Sequence, residues 1–390
     1  MRITLSVIKA DVGSIGGHTR PSPRMLETVR ARVREAMRQG LLLDGLVTHT
    51  GDDIAIIMSH QHGVGAPDVH RFAWDNFLAA TEEARAAGLY GAGQDLLVDA
   101  PSGNVRGAGP AVAEIEFERD PLSKDRPAEA FLLFAGDKCS PGMYNYPLYA
   151  VFCDPMHNGG LLLSPKLRKG FVLTIIDMDH RGGDRVIALE VPERIWDVAC
   201  LLQNPDRFAI ESVHSRHRPH EQIASVSATR LHNIAGVYTG KDDPVAIVRT
   251  QGIFPAPEEV VEPYMLGHFV TGDCRGSHVM PIMPVAIDTA VAGAYCLPLV
   301  SCLAFSMDAS GRFSREFVDM FGNPAWDATR LKVQQKADEW RRQGFIGPTM
   351  ASHAELAYTG IVDALAALDR EFVLREEGAG RGAAVAAGRR

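Results

Sequence analysis

Short apolar runs that close in aspartate recur four times in this chain of 390 residues. They occupy residues 7–11, 48–53, 132–138 and 237–243. Runs of this length are typical of buried strands, so each acid is left just outside a sheet. If the four strands converge, six aspartates crowd one place: Asp11, Asp52, Asp53, Asp137, Asp242 and Asp243.

Crowded carboxylates raise one another's pKa unless cations neutralise them. Oxygen ligands without a soft ligand select Mg²⁺, Mn²⁺ or Ca²⁺, and Mg²⁺ in enzymes usually lies between a few acids and substrate phosphates. The alternative is that aspartate simply favours turns. Two Asp-Asp pairs that follow glycine argue for a metal site, which His18 and Gln94 could complete.

The coarse pattern begins as strand, helix, hairpin and helix. Residues 3–9 alternate as a strand, 25–39 and 68–87 have helical spacing, and the strands 41–49 and 54–59 flank a turn that carries acids. Further strands are predicted at 111–118, 130–135, 171–177, 184–191, 207–213, 222–230 and 244–250, and further helices at 193–202, 326–343 and 352–374.

Strands this numerous, with helices near both ends, predict an α/β fold of the α+β type. We expect stacked mixed β-sheets flanked by helices, a four-layer α-β-β-α sandwich in a single large domain, although the length also allows two or three domains. Residues 377–390 are a Gly/Ala/Arg-rich segment without core-building residues, which predicts a disordered tail.

Composition excludes several classes of function. With 46% hydrophobic residues the chain can build a large core, and a net charge of −8 argues against a broad basic surface for nucleic acid. The six cysteines include no Cys-x-x-Cys pair, which favours a reducing cytoplasm. No apolar run approaches the roughly 18 residues of a membrane helix, and we expect no membrane partner. Small anionic substrates fit, because local cations or metal ions override the global charge.

Lys241 lies beside Asp242 and Asp243, and Tyr238 precedes it by three residues. The neighbouring acids keep the amine protonated, whereas attack on a carbonyl needs the free amine. Metal ions on the two acids would remove that conflict, and Tyr238 could pass a proton to the same substrate. The alternative is a surface lysine in a turn and a tyrosine packed in a strand.

Two glycine-rich stretches are candidate anion sites, residues 102–109 and the run from Arg275 to His278. A guanidinium grips phosphate through two hydrogen bonds, which favours Arg275. Plain turns explain the glycines equally well. The histidines at 49, 60, 62, 70, 214, 217 and 220 lack transition-metal spacing, so solvated strands and loops explain them better.

Seven motifs, in order along the chain, resemble the bifunctional fructose-1,6-bisphosphate aldolase/phosphatase family. They lie at residues 7–18, 50–53, 91–97, 102–107, 240–244, 275–278 and 283–285. The resemblance extends from residue 1 to about 370, so we expect the catalytic domain to span residues 1–376.

The resemblance implies two successive reactions at one site. Dihydroxyacetone phosphate and glyceraldehyde 3-phosphate condense, and the 1-phosphate is then hydrolysed to leave fructose 6-phosphate, a gluconeogenic sequence. Lys241 forms the Schiff base, Tyr238 shuttles the aldol protons, and Asp11 is the base for the phosphatase step. The resemblance also suggests several Mg²⁺ ions per site and a homo-octamer.

The resemblance also implies the ligand sets. The metal positions are Asp11, His18, Asp52, Asp53, Gln94, Asp137, Asp242 and Asp243. The sugar-phosphate positions are His18, Tyr90, Gly103, Asn104, Lys138, Lys241, Gln251, Gly252, Arg275, Asp288 and Tyr358.

Two other functions stay open. One is a Mg²⁺-dependent phosphatase of sugar or inositol phosphates, in which Lys241 merely contacts phosphate. The other is a non-catalytic, metal-dependent sensor of sugar phosphates. An assay of triose phosphate condensation separates the first from a bifunctional enzyme, and steady phosphate release excludes the second.

Overall fold

The structure is a computed structural model. It describes residues 1–102, 106–118, 128–180, 182–228, 243–271, 279–293, 297–343 and 360–375. The predicted tail at 377–390, the end of the predicted strand 222–230 and the first part of the predicted helix 352–374 lie outside these ranges.

Eight α-helices and sixteen strands lie in the described ranges. The helices are α1 Pro23–Arg38, α2 Pro67–Ala86, α3 Asn145–Phe152, α4 Gly159–Leu163, α5 Ile195–Leu202, α6 Pro257–Val261, α7 Asp327–Arg342 and α8 Ile361–Glu371. The first eight strands are β1 Arg2–Asp11, β2 Asp44–Thr50, β3 Asp53–His60, β4 Ala111–Glu118, β5 Glu129–Asp137, β6 Phe171–Asp177, β7 Arg185–Val191 and β8 Phe208–Ser215. The others are β9 Gln222–Val226, β10 Val245–Thr250, β11 Phe269–Thr271, β12 Val279–Pro281, β13 Met283–Pro284, β14 Leu299–Met307, β15 Val318–Asp319 and β16 Val373–Leu374.

The first sheet has four strands in the order β2-β3-β1-β4, and every pairing is antiparallel. Helices α1 and α2 cover its outer face. Helix α1 begins where the Ser22 hydroxyl accepts a hydrogen bond from the Met25 amide, and Pro23 suits the first turn. Its apolar stripe is buried against the even-numbered side chains of β1, because strand side chains alternate between faces.

The second sheet has the order β13-β14-β5-β10-β9-β8-β6-β7-β16, and β15 pairs with β14. Its pairings are antiparallel except that of β13 with β14, so the sheet is mixed. Helices α3, α5, α6 and α8 contribute to the apolar cluster on its outer face. Strands β11 and β12 form a separate two-stranded pair.

The two larger sheets pack face to face. Their shared core is formed by odd-numbered side chains of β1, β4, β5 and β10 together with residues of β14. Phe117 of the first sheet contacts the Phe131 ring of the second across the interface, and Phe131 stacks on its neighbour Phe305 in the same sheet. Helices therefore lie outside two stacked sheets, and the predicted four-layer α-β-β-α sandwich is confirmed.

Most predicted elements are present within a few residues, but several details differ. The residue pattern did not predict α3 or β14. The predicted helix 352–374 runs too far, because the backbone turns extended at Phe372 and Val373–Leu374 pairs with β7. No helix among the described residues is both long and apolar enough to cross a membrane.

The explanation of the histidines as solvated residues was wrong for four of them. The side chains of His49, His60, His70 and His214 are buried. They lie in strands and a helix that are covered by neighbouring layers. Because the protein has four layers, polar residues of these elements are buried as well as apolar ones. His60 and His70 join a hydrogen-bonded network with Ser6 and Glu114.

Candidate metal and catalytic centre

The alternation of side chains along the strands places the acids in one space. In β1 the odd-numbered residues face the second sheet, so Lys9 and Asp11 continue the row begun by Ile3, Leu5 and Val7. The same parity carries Asp53 in β3 and Asp137 in β5 toward that space, at the end where apolar core residues stop.

Strand pairing then brings the ends together. Asp11 lies directly opposite Asp53 in the β1–β3 register. At the start of β10, the Asp243 amide donates to the Cys139 carbonyl at 2.7 Å, and the Gly136 amide donates to the Pro244 carbonyl at 2.8 Å. Three of the four predicted strand ends therefore meet at one edge of the sandwich, and the fourth contributes its last acid, Asp243.

Six residues form two sets that could each hold a metal ion. In the first set, Asp11, His18 and Asp52 offer ligand atoms that all lie within 4.8 Å of one another. In the second set, Asp53, Asp137 and Asp243 do the same. All six are among the predicted metal positions, and five of them are buried carboxylates.

Lys138 links the two sets. Its Nζ contacts the Asp52 carboxylate and lies 2.9 Å from Asp137 Oδ1, and its backbone amide donates to Asp243 Oδ1. Burial favours the neutral amine, but Asp137, Asp52 and Asp243 outweigh it and hold the pKa of Lys138 well above its ordinary value. Lys138 is therefore a cation inside the acid cluster.

The crowding shifts the acids in opposite directions. Burial, and then the charges of Asp52 and Asp53, raise the pKa of Asp11 well above its ordinary value. Burial also raises the pKa of Asp137 to about 7, against the opposing charge of Lys138. For Asp52 burial acts in the same sense, but Lys138 and His18 together bring its pKa below the usual range. Carboxyls with different proton affinities thus lie side by side.

These residues fit a hard cation. Both carboxylate oxygens of Asp137 are buried and accept no hydrogen bond within the described ranges, although Lys138 lies close to one of them. Burial, together with the uncompensated charges of Asp52 and Asp53, also raises the pKa of Asp11. A divalent ion on oxygen ligands supplies that compensation, and the donor set contains no thiolate.

The β2–β3 turn is built to approach β5 closely. Gly51 adopts φ of +57°, and a Cβ at this position would overlap the Asp137 carboxylate. Its amide donates to the Thr289 carbonyl at 2.8 Å. Asp288, the residue before Thr289, accepts a hydrogen bond on Oδ1 from the His49 amide at 2.8 Å. This contact places the predicted substrate residue Asp288 beside the β2–β3 turn.

The loop that follows α2 closes over the end of β1. The Asp11 amide donates to Asp95 Oδ2 at 2.9 Å, and the Asp95 amide returns a bond to the Asp11 carbonyl at 3.0 Å. Gln94 is buried and its side-chain oxygen accepts from Ser102. The Tyr90 ring packs edge-on against His18 with ring centres 4.9 Å apart. Tyr90 and Gln94 therefore lie at the site.

Four non-glycine residues in the described ranges have positive φ, namely Lys138, Asp243, Gln251 and Asp288. All four are predicted site residues. This conformation costs an L-residue roughly 1–2 kcal/mol, and such strain clusters at functional sites.

Gln251 and Gly252 are not brought to the acid cluster. They follow the last residue of β10, whereas Asp243 precedes its first residue. A strand of this length spans about 20 Å, since each residue adds about 3.3 Å. Within one chain these two predicted substrate residues lie at the opposite end of the sandwich.

The remaining predicted site residues lie outside the described ranges. They are Gly103, Asn104, Tyr238, Lys241, Asp242, Arg275 and Tyr358. Their roles stay predictions.

Sequence reasoning missed two members of the site. Lys9 pairs with Asp53, and Asp95 fixes the backbone of Asp11. Lys9 could have been found, because a lysine two residues before Asp11 in a strand must share its face. Asp95 carried no comparable signal, since its position depends on how the loop after α2 folds back.

A cavity of about 320 Å³ lies between α5 and α8, lined by residues that include Cys200, Arg207, Leu365 and Asp369. None of the predicted site residues lines it. The chemistry indicated by the acids therefore belongs to the sandwich edge.

Fold and site together define a four-layer α-β-β-α protein with a buried, acid-lined centre suited to hard cations. A family model described as fructose-1,6-bisphosphatase matches residues 2–373. A protein of Thermus thermophilus named fructose-1,6-bisphosphate aldolase/phosphatase is 55% identical over 372 residues, which cover 95% of this chain and 100% of the relative.

Proteins with the same name from two other organisms are also similar. The protein from Cenarchaeum symbiosum is 45% identical over 98% of this chain and 99% of its own length. The protein from Ignicoccus hospitalis is 42% identical over 95% of this chain and 93% of its own length. The chain therefore belongs to the fructose-1,6-bisphosphate aldolase/phosphatase family, as its motifs predicted.

Proposed function

We propose that this protein is a bifunctional enzyme that makes fructose 6-phosphate from two triose phosphates, with residues 1–376 as its catalytic domain. Dihydroxyacetone phosphate and glyceraldehyde 3-phosphate condense to fructose 1,6-bisphosphate, and hydrolysis then removes the 1-phosphate. The observation that carries the proposal is the convergence of aspartates from β1, the β2–β3 turn, β5 and the segment before β10 at one edge of the sandwich. The names of the relatives support the pair of reactions.

The metal in this proposal is Mg²⁺, several ions per site. Asp11, His18 and Asp52 would hold one group of ligand positions, and Asp53, Asp137 and Asp243 another, with Gln94 and Asp242 as further ligands. Bound Mg²⁺ supplies charge stabilisation to the transferring phosphoryl group and lowers the pKa of a bound water. Oxygen-rich, buried ligands support this choice of metal.

In the phosphatase step, Asp11 acts as the general base. Water attacks the phosphorus and Asp11 accepts the proton from the water, while the bond from phosphorus to the sugar oxygen breaks and that oxygen takes up a proton from solvent to become the C1 hydroxyl. Asp11 is buried within the acid cluster, at the end of β1. Its contact partner Asp95 holds the Asp11 backbone in place.

In the aldol step, the Lys241 amine attacks the ketone of dihydroxyacetone phosphate, and loss of water forms a Schiff base. Tyr238 takes and returns protons during carbon–carbon bond formation. These assignments rest on the resemblance of the motif at 240–244, and both Lys241 and Tyr238 lie outside the described residues.

Substrate phosphates and hydroxyls would be held by cations and loop groups around the acids. Lys138 is a buried cation at the site, and His18, Tyr90 and Asp288 lie beside it. Gly103, Asn104, Arg275 and Tyr358 complete the proposed set. We place the protein in the cytoplasm, in gluconeogenic carbohydrate metabolism, and expect no nucleic-acid or membrane partner.

A homo-octamer is part of the proposal. Gln251 and Gly252 lie at the far end of β10 from Asp243, so contact of these residues with substrate requires a second copy of the chain. Assembly would therefore complete the binding site. Light scattering of the purified protein measures the subunit number.

The test is a pair of assays on the wild type and Lys241→Ala, with Mg²⁺ present. We expect the wild type to condense the triose phosphates and to release phosphate from fructose 1,6-bisphosphate. Lys241→Ala should lose condensation and keep part of the phosphate release. Borohydride with dihydroxyacetone phosphate should trap a covalent adduct at Lys241.

Two results would replace the proposal. Phosphate release without condensation by the wild type indicates a phosphatase alone. Binding of the sugar phosphate without release of phosphate indicates a sensor. An adduct that persists in Lys241→Ala would exclude this lysine as the Schiff-base residue.

A further inference from the structure

Lys9 is a lysine in the middle of the protein. Its side chain is 0% exposed, and its Nζ forms an ion pair with Asp53 Oδ2, whose side chain is 1% exposed. In the β1–β3 register Lys9 lies opposite Ala55 and Asp53 lies opposite Asp11. The lysine therefore reaches its partner diagonally across the two strands, on the face that carries Asp11.

The position of Lys9 marks a boundary between core and site. On the same face of β1, the preceding side chains Leu5 and Val7 belong to the apolar core between the sheets. The next residue on that face is Asp11. An ammonium buried here is tolerated only with a close counter-charge, because leaving either charge alone in the interior is costly.

Lys9 differs from Lys138, the other lysine of the cluster. Lys138 follows the end of β5, retains 7% exposure, and divides its contacts between Asp52 and Asp137. Lys9 lies within β1, between strands β3 and β4, and its side chain has no solvent exposure. A substrate cannot reach its Nζ, so it acts on the site through the carboxylates, by its ion pair with Asp53 and by its charge near Asp137.

We propose that Lys9 is a positioning residue that acts as a permanent counter-charge for Asp53. It holds this carboxylate in the site before any metal arrives, and it competes with divalent cations for the same negative charge. The inference rests on the metal dependence proposed above. It assigns Lys9 two effects, stabilisation of the metal-free protein and limitation of metal affinity.

The test removes the charge and measures Mg²⁺ binding directly. Lys9→Met keeps most of the side-chain volume. We expect Mg²⁺ to bind this variant at least about tenfold more tightly by calorimetry after chelator treatment, since a unit charge close to the ligand has been removed. The variant should also melt at a lower temperature than the wild type without Mg²⁺, and Mg²⁺ should raise its melting temperature by more.

Arg249→Met is the matched control. Arg249 is another fully buried cation of the same space between the sheets, at the far end of β10, paired with Glu129 and Glu221. Loss of its charge should lower the melting temperature equally with and without Mg²⁺ and leave Mg²⁺ affinity unchanged.

The outcomes separate the two proposals. A wild type that binds no Mg²⁺ overturns the proposed metal dependence and this inference with it. A wild type that binds Mg²⁺, beside a Lys9→Met variant with equal or weaker affinity, overturns the role of Lys9 alone. If Lys9→Met does not fold without metal, its recovery on refolding with Mg²⁺ supports the proposal. In that case the Mg²⁺ affinity is measured on Lys9→Gln, which keeps a hydrogen-bond donor. Failure of both variants to fold even with Mg²⁺ would argue against the role of Lys9 as a counter-charge for Asp53.

Discussion

At the scale of single residues, the site is built from buried acids and from a glycine that lies against one of them. The acids themselves were predictable, because each ends an apolar run and alternation decides its face. The close approach of Gly51 to Asp137 was not, since the two residues lie in different sheets. In the sequence, a glycine before two aspartates predicts only an ordinary turn. The contact with β5 becomes visible only in the folded structure.

Gly51→Ala should abolish most catalysis. The added Cβ would overlap the Asp137 carboxylate, and φ of +57° is unfavourable for alanine. A misplaced ligand should lower kcat for phosphate release by at least about 100-fold. Phosphate release and Mg²⁺ titration measure the effect.

Gly88→Ala is the control for Gly51→Ala. Gly88 has a similar φ of +64°, and a Cβ there meets nothing within 4 Å. It should lose about 1–2 kcal/mol of stability from strain and keep its activity. Equal activity of the two variants would mean that the contact with Asp137 is unimportant.

At the scale of elements, β10 has different roles at its two ends, with a site acid at one end and a buried cation at the other. In β10 the acid end is Asp243, and the other end carries Arg249 between the rings of Phe117 and Phe254. Hydrophobic pattern was sufficient to predict β10 as a strand. It did not predict that β14, from much later in the chain, would pair with β5, because strand order depends on contacts distant in sequence.

Arg249→Met should destabilise the fold strongly. Arg249 Nη1 lies 2.5 Å from Glu221 and Nη2 lies 3.2 Å from Glu129, so the variant leaves two acids in the interior without their guanidinium. We expect a loss of about 3–5 kcal/mol in the free energy of unfolding. Urea unfolding in the presence of chelator measures it.

Arg38→Ala is the comparison for Arg249→Met, because it breaks an exposed ion pair with Glu35 in α1. It should change the free energy of unfolding by less than about 1 kcal/mol. A similar loss in the two variants would show that burial does not decide the contribution of these pairs.

At the scale of the whole molecule, four layers bury polar residues that a smaller protein would expose. Burial lowers the pKa of His60, His214 and His268 to about 4 in each case. Their ordinary value is 6.5. The unfolded chain therefore binds these protons at a higher pH than the folded chain.

The three histidines should lower stability as pH decreases from about 6.5 to about 4, while Asp11 and Asp137, whose pKa values are raised, contribute in the opposite sense. Within this window each of these histidines is protonated in the unfolded chain and neutral in the folded one. Each one therefore removes on the order of 3 kcal/mol from the free energy of unfolding by pH 4. Urea unfolding with chelator between pH 7 and pH 4.5 measures the slope.

The control for the pH slope is His60→Gln, which removes one titrating group and keeps a hydrogen-bond donor toward Ser6. Its slope should be smaller than that of the wild type by roughly the share of one histidine. An identical slope would show that His60 does not couple folding to protonation.

The sequence by itself determined which residue types end the strands and which face of each strand they take, because alternation is a local property of extended backbone. It also determined the family, through motifs that stand in order along the chain. Only the tertiary structure decided that Asp53 pairs with Lys9, that Gly51 passes against Asp137, and that Gln251 lies at the far end of β10. Those relations depend on strand order and on how two sheets stack, and both are settled by packing across the whole molecule.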